Sequence, residues 1–462
     1  MAEAAIIARV IGTALDVDAT AWNALLASQS HPTPFMRHEY LAALEASDSA
    51  TPRTGWAPRF MTLWDGQGDD EVLIAACPLY LKNHSYGEYV FDWAWASAYE
   101  QHGVPYYPKA VIAVPFTPVP GTRLMARDDS ARALLVQAVC QWCEDENVSS
   151  VHILFASHDD VLTSAQQDLM LRHTVQFHWK NVAPTLTAAR DSLPHAGEAA
   201  PASPEGGALT ALGQPGGGEN AAPTLITPSD APSSEGASPT GGGAGQPFQD
   251  FDHFLASLAQ DKRKKIRQER RRVADAGVSF RWSRGADISA ADWDFFYRCY
   301  ERTYLEHGNP PYLTRDFFAR MAAHMPEAWL LFVAERDGES IASSLIAISA
   351  LPSSASGQNH QNSVAYGRYW GALERVDCLH FEACYYQPLQ WCIYHGVDRF
   401  EGGAQGEHKM ARALLPVQAT SAHWLAHPAF AEAVERFLAR EGEGVQGYMG
   451  ELQARSPFRR AE

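Results

Sequence analysis

The alternation of hydrophobic and polar positions predicts the same succession of elements in both halves of the chain. Strand-like stretches with period two alternate with helical stretches that carry one apolar face. Each half contains a predicted hairpin, and the second one turns at Asp337-Gly338. The hairpins cover Arg59–Trp64 with Val72–Lys82, and Trp329–Glu335 with Ser340–Ala350. The shared order of helix, helix, hairpin, strand, helix, strand, helix and strand predicts a tandem duplication of an α/β unit.

Several elements of the second half matter for the site. One helix is predicted over Phe248–Gly277, and another runs from a cap at Asp377 to His395 with a kink at Pro388. A short strand, Arg399–Gly402, follows that helix. A strand over Val417–Trp424 and a helix over His427–Arg440 complete the unit.

The composition changes abruptly between Asp191 and Gln246, where aromatic residues, Lys and Arg are missing and Ala, Gly, Pro and Ser dominate. Such a segment cannot bury enough apolar surface to offset its ordering entropy, so it predicts a disordered linker. The expected organisation is an N-terminal domain over 1–187, a linker or insertion over 188–247, a C-terminal domain over 248–445 and a flexible tail over 446–462.

Charge and cysteine content narrow the choice of partners. The chain has 462 residues and a net charge of −17, which argues against DNA or an anionic membrane as the main partner. No stretch approaches the length of a membrane span, and the first ten residues lack the pattern of a secretory signal. Seven scattered cysteines are typical of reduced thiols. We therefore expect a cytoplasmic protein.

The segment Asp398–Arg412, DRFEGGAQGEHKMAR, is the first candidate for chemistry. Gly402 and Gly403 allow a ligand to approach the backbone closely, and Gln405 lies beside them. Directly after Gly406 come Glu407, His408 and Lys409, three side chains of different charge chemistry at a strand end. The alternative from these residues alone is a surface turn after an edge strand.

A basic run, DKRKKIRQERRR, is the strongest charge feature. On a continuous helical wheel from Phe251, Lys262 and Glu269 fall on the apolar stripe, so each is expected either to pair or to point at a ligand. Lys262, Arg263 and Arg267 are candidates for binding phosphate. The alternative is that these basic side chains form a solvated helix end and bind no ligand.

The segment Arg368–Gly396 predicts a strand that passes through Gly371 into the helix at Asp377. Free N–H groups at that helix start, with Arg375 just before it, are suited to an anion. His380 and Glu382 in the first turn are expected to face Glu407 and His408, which would gather groups able to take a proton from an amine. The alternative is that His380 and Glu382 are ordinary polar residues of the first helical turn, without a role in chemistry.

The first half contains an aromatic-dense, proline-rich passage whose prolines predict loops and an interrupted strand. Its candidates for a substrate groove are Tyr99, Tyr106, Tyr107, Lys109 and Arg123. The alternative is a loop packed under its own aromatics. No HExxH, paired CxxC, GxSxG or P-loop motif is present, so no metal site is expected.

These segments, above all PFTPVPG and GAQGEHK together with DKRKKIRQERRR, resemble the FemAB-like predicted N-acyltransferases. That family is also described as peptidoglycan biosynthesis/recognition proteins within the GNAT acyltransferase superfamily. The resemblance covers nearly everything except the linker. It implies a bacterial protein with an α/β fold of two tandem GNAT-like acyl-CoA N-acyltransferase domains, each a mixed, mostly antiparallel sheet flanked by helices.

The resemblance implies a transferase that forms an amide from an activated acyl donor, with acyl-CoA as cosubstrate, no tightly bound cofactor, and a small-molecule or peptidyl amine as acceptor. His408 or Glu407 would be the base, supported by His380 and Glu382. Gly371, Arg375 and Lys409, with the basic run, would bind the donor. A non-catalytic module that binds a peptidoglycan precursor or a protein is one alternative, and an aminoacyl-tRNA-dependent transferase is a less favoured one. The oligomeric state stays open.

Overall fold

A computed structural model describes residues 6–66, 68, 71–183, 246–349, 363–404 and 406–459. The predicted linker over 188–247 lies outside the described residues except for its last two positions. Gln405, a predicted substrate contact, also lies outside them.

Fifteen strands and twelve helices are assigned within the described ranges. The strands are β1 (Ile6–Ile11), β2 (Ala57–Pro58), β3 (Phe60–Asp65), β4 (Val72–Cys77), β5 (Leu79–Lys82), β6 (Lys109–Ile112), β7 (Met125–Ala126), β8 (Ser150–Ala156), β9 (Met170–Lys180), β10 (Val278–Arg284), β11 (Trp329–Arg336), β12 (Glu339–Ile348), β13 (Val364–Ala372), β14 (Arg399–Ala404) and β15 (Leu415–Leu425). The helices are α1 (Ala19–Ala27), α2 (His38–Ala46), α3 (Trp93–Gln101), α4 (Asp129–Asp145), α5 (His158–Gln166), α6 (Phe251–Ser257), α7 (Gln260–Asp275), α8 (Ala290–Glu306), α9 (Arg315–His324), α10 (Leu379–Phe381), α11 (Gln387–Tyr394) and α12 (Pro428–Ala454).

The strands form one small and one large sheet. The small sheet has the order β1-β3-β4-β7, and the large one has the order β10-β11-β12-β13-β14-β9-β15-β8-β6-β5-β2. Neighbouring strands are antiparallel except for the pairs β6 with β8 and β13 with β14. The predicted α/β fold of mixed, mostly antiparallel sheets flanked by helices is confirmed.

Strand β15 lies between two strands of the first half. It pairs with β9 from Leu415 to His423 and with β8 on its other side. Strand β14 also pairs with β9, so both strands that flank the GAQGEHK segment are held by the first half. A division at residue 248 therefore cuts through one continuous sheet, although the predicted domain boundaries themselves stay a prediction.

The parallel strands β13 and β14 pair only at their beginnings. Residues 364–366 face residues 399–401, after which β13 continues to Ala372 and β14 to Ala404 without further pairing between them. Parallel strands that stop pairing leave backbone groups and side chains free to line a cleft.

Aromatic packing joins the two halves beside this cleft. Phe35 of the first half packs edge-on against Tyr366 of β13, and Tyr40 packs against Phe317 of α9. Arg368 of β13 donates from Nη2 to the carbonyl oxygen of Phe116, 2.9 Å away. The halves are thus fixed to each other by a shared core and a polar contact.

Three local expectations are wrong in the structure. The aromatic passage contains a nine-residue helix, α3, because the stretch from Trp93 to Gln101 has no proline. The single helix expected over Phe248–Gly277 is broken at Leu258 and Ala259, whose extended backbone separates α6 from α7. The expected flexible tail begins inside α12, where Leu452 is buried, so residues 446–454 are helical.

The start of the helix after β13 also differs from the prediction. Cys378, with a φ of 65°, precedes α10, and Asp377 makes no capping hydrogen bond. The Asp377 carboxylate instead lies 3.0 Å from the Arg272 guanidinium of α7. Between α10 and α11 the chain forms a π-helical segment, Glu382–Tyr386, immediately before Pro388. None of the helices in the described ranges is long and apolar enough to cross a membrane.

Gly371 provides a test of how β13 packs on α8. A Cβ at this position would lie 1.9 Å from the carbonyl oxygen of Cys299. We expect Gly371→Ala to lower the free energy of unfolding by about 1–3 kcal/mol, measured by urea denaturation, because the helix and strand must separate. Gly442→Ala on α12 is the control, since a Cβ there meets no atom within 4 Å and should be neutral or slightly stabilising. Equal effects of the two substitutions would contradict this packing.

Candidate functional site

The turn after β14 is built on a buried lysine. Strand β14 ends at Ala404, and a 3₁₀ turn follows over Glu407–Arg412. Lys409 Nζ donates to the carbonyl oxygens of Gly402 at 2.7 Å and Ala404 at 2.8 Å. Burial lowers the pKa of Lys409 to about 8. These contacts give Lys409 a structural role in closing the turn, which differs from the predicted contact with donor phosphate.

His408 is the half-buried titratable group of this turn. Its ring lies over Gly406, whose φ of 93° favours glycine and where a Cβ would be 2.4 Å from the imidazole. His408 Nε2 is 3.3 Å from the Tyr385 hydroxyl, within hydrogen-bonding distance. Desolvation, and then the charges of Arg412, Lys409 and Lys265, lower the pKa of His408 to about 4. The imidazole is therefore uncharged at neutral pH and can accept a proton.

His380 lies close to His408, as the sequence predicts. The two imidazole centroids are 6.5 Å apart, and both rings pack around Tyr385. Burial, followed by the charge of His408, lowers the pKa of His380 to about 3. The structure thus brings together two uncharged imidazoles and a phenol.

The two predicted carboxylates do not join this group. Glu382 is buried and pairs with Arg270 of α7 at 3.0 Å, because the π-helical turn directs it toward that helix. Glu407 is exposed and accepts hydrogen bonds from Tyr448 of α12 and from Arg455, the residue that follows this helix. Neither carboxylate is placed to assist His408. Of the four groups predicted to lie together, only the two histidines do so.

A buried ion pair fixes α7 against the turn. Arg412 Nη2 is 2.7 Å from Glu269 Oε2, and both side chains are almost fully buried. Tyr386 donates a hydrogen bond to the same carboxylate oxygen, and the Arg412 guanidinium stacks 3.7 Å from the centre of the Phe381 ring. Arg412 also donates to the carbonyl oxygen of His408. Of the two outcomes expected for Glu269, the structure shows pairing.

A shallow groove of about 410 Å³ runs along one face of α7. Its lining residues are Asp261, Lys264, Lys265, Gln268, Glu269 and Arg272. Three of these are cationic, and the carboxylate of Glu269 is already paired with Arg412. Lys265 lies near enough to His408 to lower its pKa. The groove therefore offers positive charge beside the uncharged imidazole.

The predicted phosphate ligands lie outside this groove. Lys262 pairs with the neighbouring Asp261, and Arg267 lies 3.7 Å from Asp252 on an exposed face. Arg263 does not line the groove, and Arg375 is exposed in the loop after β13. Gly371 is required by its contact with α8 rather than by a ligand. Lys262 lies on the face of α7 that buries Ile266 and Val273, whereas the groove follows the neighbouring face of the helix.

The aromatic passage of the first half surrounds a buried ionic network. Lys109 Nζ donates to Ser85 and Glu88 at 2.7 and 2.8 Å and also to Asp92. Tyr106 donates to Asp92, and the Tyr107 hydroxyl lies 2.9 Å from Ser85. Lys109 and Tyr106 are almost completely buried. This network folds the passage onto itself, which supports the alternative of a loop packed under its own aromatics.

The remaining predicted substrate residues are separated from one another. Tyr99 is buried and stacks on Phe430 of α12 with ring centroids 3.9 Å apart. Arg123 is buried elsewhere, where its guanidinium donates to Val119 and its backbone N–H donates to Asp160. Gly402 packs closely on Leu414, whereas a Cβ at Gly403 would meet no atom within 4 Å. These positions do not form one groove with the aromatic passage.

Lys264, Lys265 and Tyr385 are the site residues that the sequence reasoning missed. Both lysines stand within the quoted basic run, and Tyr385 follows Glu382 by three positions. Among the described residues, no group of three or more His, Cys, Asp or Glu side chains is arranged to hold a metal ion.

The FemAB-like family model, described as peptidoglycan biosynthesis/recognition, matches residues 13–185 and 244–460. The two matched segments include the turn, α7 and the aromatic passage. No curated protein shows a significant match to the sequence.

Several solved structures show a weak overall similarity. L-PGS from Bacillus licheniformis is 11% identical with a TM-score of 0.44, covering 93% of this chain and 98% of that one. The C-terminal domain of a putative lysylphosphatidylglycerol synthetase from Agrobacterium fabrum is 9% identical with a TM-score of 0.41, covering 91% and 95%. A tandem GNAT protein from the clavulanic acid biosynthesis pathway is 10% identical with a TM-score of 0.40, covering 92% and 99%. All three TM-scores are below 0.5, so no conclusion about function rests on them.

Gly406→Ala tests whether this glycine holds the His408 ring in its desolvated position. The added Cβ would displace the imidazole toward solvent, so we expect the pKa of His408 to rise from about 4 toward 6.5. Titration of the imidazole proton signals by nuclear magnetic resonance measures this shift, with His408→Gln identifying the signal. Gly403→Ala is the matched control, because its φ is also positive, at 74°, but its Cβ would contact nothing. A pKa that stays near 4 in Gly406→Ala would show that the ring is held by other contacts.

Proposed function

Because the chain belongs to the FemAB-like family of peptidoglycan biosynthesis/recognition proteins, we propose that it is an N-acyltransferase. The reaction joins an activated acyl group to an amine and forms an amide. We place the reaction at the turn after β14, and we propose an acyl-CoA or a similar thioester as donor.

One observation carries this proposal: an uncharged, half-buried imidazole lies beside a groove lined by cationic side chains. His408 has the protonation state of a base at neutral pH. Lys264, Lys265 and Arg272 line the groove and supply positive charge next to it, and Arg272 also pairs with Asp377. A phosphate-bearing donor held in the groove would bring its acyl carbon toward the imidazole.

The proposed step is the transfer of an acyl group from a thioester to an amine. The amine nitrogen attacks the thioester carbonyl carbon, and an imidazole nitrogen of His408 accepts the proton that the amine loses. The carbon–sulfur bond then breaks, the amide is released, and the thiolate leaves with the proton returned by His408. Tyr385 and His380 orient the His408 ring through the hydrogen bond and the ring packing described above.

The acceptor in this proposal is an amine on a small molecule or a peptide, with a peptidoglycan precursor as the class that the family description suggests. An aminoacyl-tRNA donor is the second candidate, because the cationic side chains of the groove also suit the phosphates of a nucleic acid. The net charge of −17 argues against extensive contact with an RNA backbone. The cytoplasmic location stays a prediction.

His408→Gln tests the proposed base. We expect kcat for amide formation to fall by about 100-fold or more, because a positioned base contributes roughly that factor and glutamine cannot take the proton. Donors from three classes, acyl-CoA, acyl carrier and aminoacyl-tRNA, are offered with a panel of amines, and product is measured by mass spectrometry. His324→Gln on α9 is the control, because this histidine is exposed and lies outside the site.

Two results would reject the proposal. One is a wild-type protein that transfers no acyl group from any donor class but is stabilised by a donor or precursor, which would indicate a binding module. The other is an unchanged kcat in His408→Gln, which would show that the catalytic base does not lie in this turn.

The double substitution Lys264→Ala with Lys265→Ala tests the donor groove. We expect KM for the phosphate-bearing donor to rise about 10-fold or more while kcat changes little, because the lysines bind the donor in the ground and transition states alike. The same substitution should leave KM for the amine unchanged. Arg436→Ala with Arg440→Ala on the exposed face of α12 removes the same total charge away from the groove and serves as the control. Equal effects of both pairs would show that only the net charge matters.

A further inference from the structure

Glu401 of β14 is buried at the point where β13 and β14 stop pairing. Its side chain is about 5% exposed, and its Oε1 lies 3.0 Å from the Arg399 guanidinium. Its Oε2 is buried and has no hydrogen-bond partner among the atoms that the structure describes. A buried carboxylate oxygen without a donor is costly, so its retention points to a partner that is supplied from outside.

The surrounding protein provides Glu401 with little compensation. In the strand register Glu401 faces Tyr366 on β13 and His178 on β9. His178 Nδ1 lies 3.9 Å from Oε1, but burial, and then the charge of Arg399, lower the pKa of His178 to about 3. That imidazole is therefore uncharged. Among the described residues, Arg399 is the one cation in contact with the carboxylate, and its side chain is about a third exposed to solvent.

The backbone next to Glu401 leaves room for a ligand. After the pairing of Tyr366 with Glu401, β13 and β14 make no further ladder contacts. Gly403, two residues further along β14, has a φ of 74°, and a Cβ built there would meet no atom within 4 Å. Open space on β14 is therefore found at Gly403, two residues along the strand from the unpartnered oxygen.

We propose that Glu401 forms a binding subsite for a cationic nitrogen group, an ammonium or a guanidinium, in the cleft between β13 and β14. The ligand would donate a hydrogen bond to Oε2 and add a second positive charge to the carboxylate. A metal ion is a poorer match, because Glu401 has no second carboxylate beside it among the described residues. The subsite lies on a strand shared with the turn at His408, but its occupation requires no acyl donor.

Calorimetric titration with pentylammonium chloride at pH 8 tests the subsite. We expect saturable binding to the full-length protein, at least 10-fold weaker binding to Glu401→Gln, and unchanged binding to Glu432→Gln. Glu432 is an exposed carboxylate of α12 that pairs with Arg436, so this control repeats the charge change away from the cleft. Sodium chloride at the same concentration corrects for ionic strength, and 1-pentanol corrects for binding of the alkyl chain alone.

A second measurement uses the unaltered protein, so it does not depend on the folding of a variant. Burial raises the pKa of Glu401 to about 7, while the charge of Arg399 opposes that rise. Of the groups around it, His178 stays neutral between pH 6 and 8, and burial raises the pKa of Tyr366. Lys409 of the adjoining turn, with a pKa of about 8, loses part of its positive charge at pH 8, which favours binding of a cation in the same direction. Pentylammonium should therefore bind about 10-fold more tightly at pH 8 than at pH 6.

The proposal is overturned if the wild-type protein shows no saturable binding, if Glu401→Gln binds as well as the wild type, or if the affinity is the same at pH 6 and pH 8. None of these measurements uses an acyl donor. Failure of the transfer assay would leave this proposal standing, and failure of the titration would leave the transfer proposal standing.

Discussion

The insertion of β15 between β8 and β9 is the constraint on which the rest of the structure depends. Its hydrogen-bond ladders join the last strand of the chain to two strands of the first half. The buried imidazoles of His152 and His423 meet across this junction at 2.7 Å. Strand β14, which precedes the GAQGEHK turn, pairs with β9, and β15 follows the turn. The first half therefore fixes both ends of the turn. A site composed of second-half residues is therefore positioned by first-half backbone.

Within that frame, buried ionic contacts decide which side chains remain available. Arg412 is paired with Glu269, and Lys109 is paired with the acidic side chains of the aromatic passage. Lys409 donates hydrogen bonds to the carbonyl oxygens of its own turn. Charges buried in this way stabilise geometry and are poorly suited to meeting a ligand. The His408 ring, the lysines of the α7 groove and one oxygen of Glu401 are, by contrast, not held in ion pairs of this kind, so they keep hydrogen-bonding capacity for a ligand.

The hairpins, the repeated element order and the position of His408 beside Gly406 could be predicted from the sequence, since alternation and glycine placement are local properties. The partner of Glu382 could not, because a π-helical turn rotates that side chain toward α7. The break between α6 and α7 at Leu258 and Ala259 could not be predicted either, because no proline or glycine stands there. Nothing in the sequence marks Glu401 as a site residue, because its unpartnered oxygen arises only when β9, β13 and β14 come together in the sheet.

The position of β15 also has a consequence for synthesis of the chain. His173 meets Thr420, which lies 247 positions later, so β8 and β9 are made long before the strand that covers their free edges. During translation the edges of β8 and β9 that pair with β15 would stay unpaired until almost the whole described chain has left the ribosome. Closing such a distant ladder is slow because the loop entropy must be lost before the contacts form. The nascent first half is therefore a natural client for chaperones, and its folding is completed only when the second half arrives.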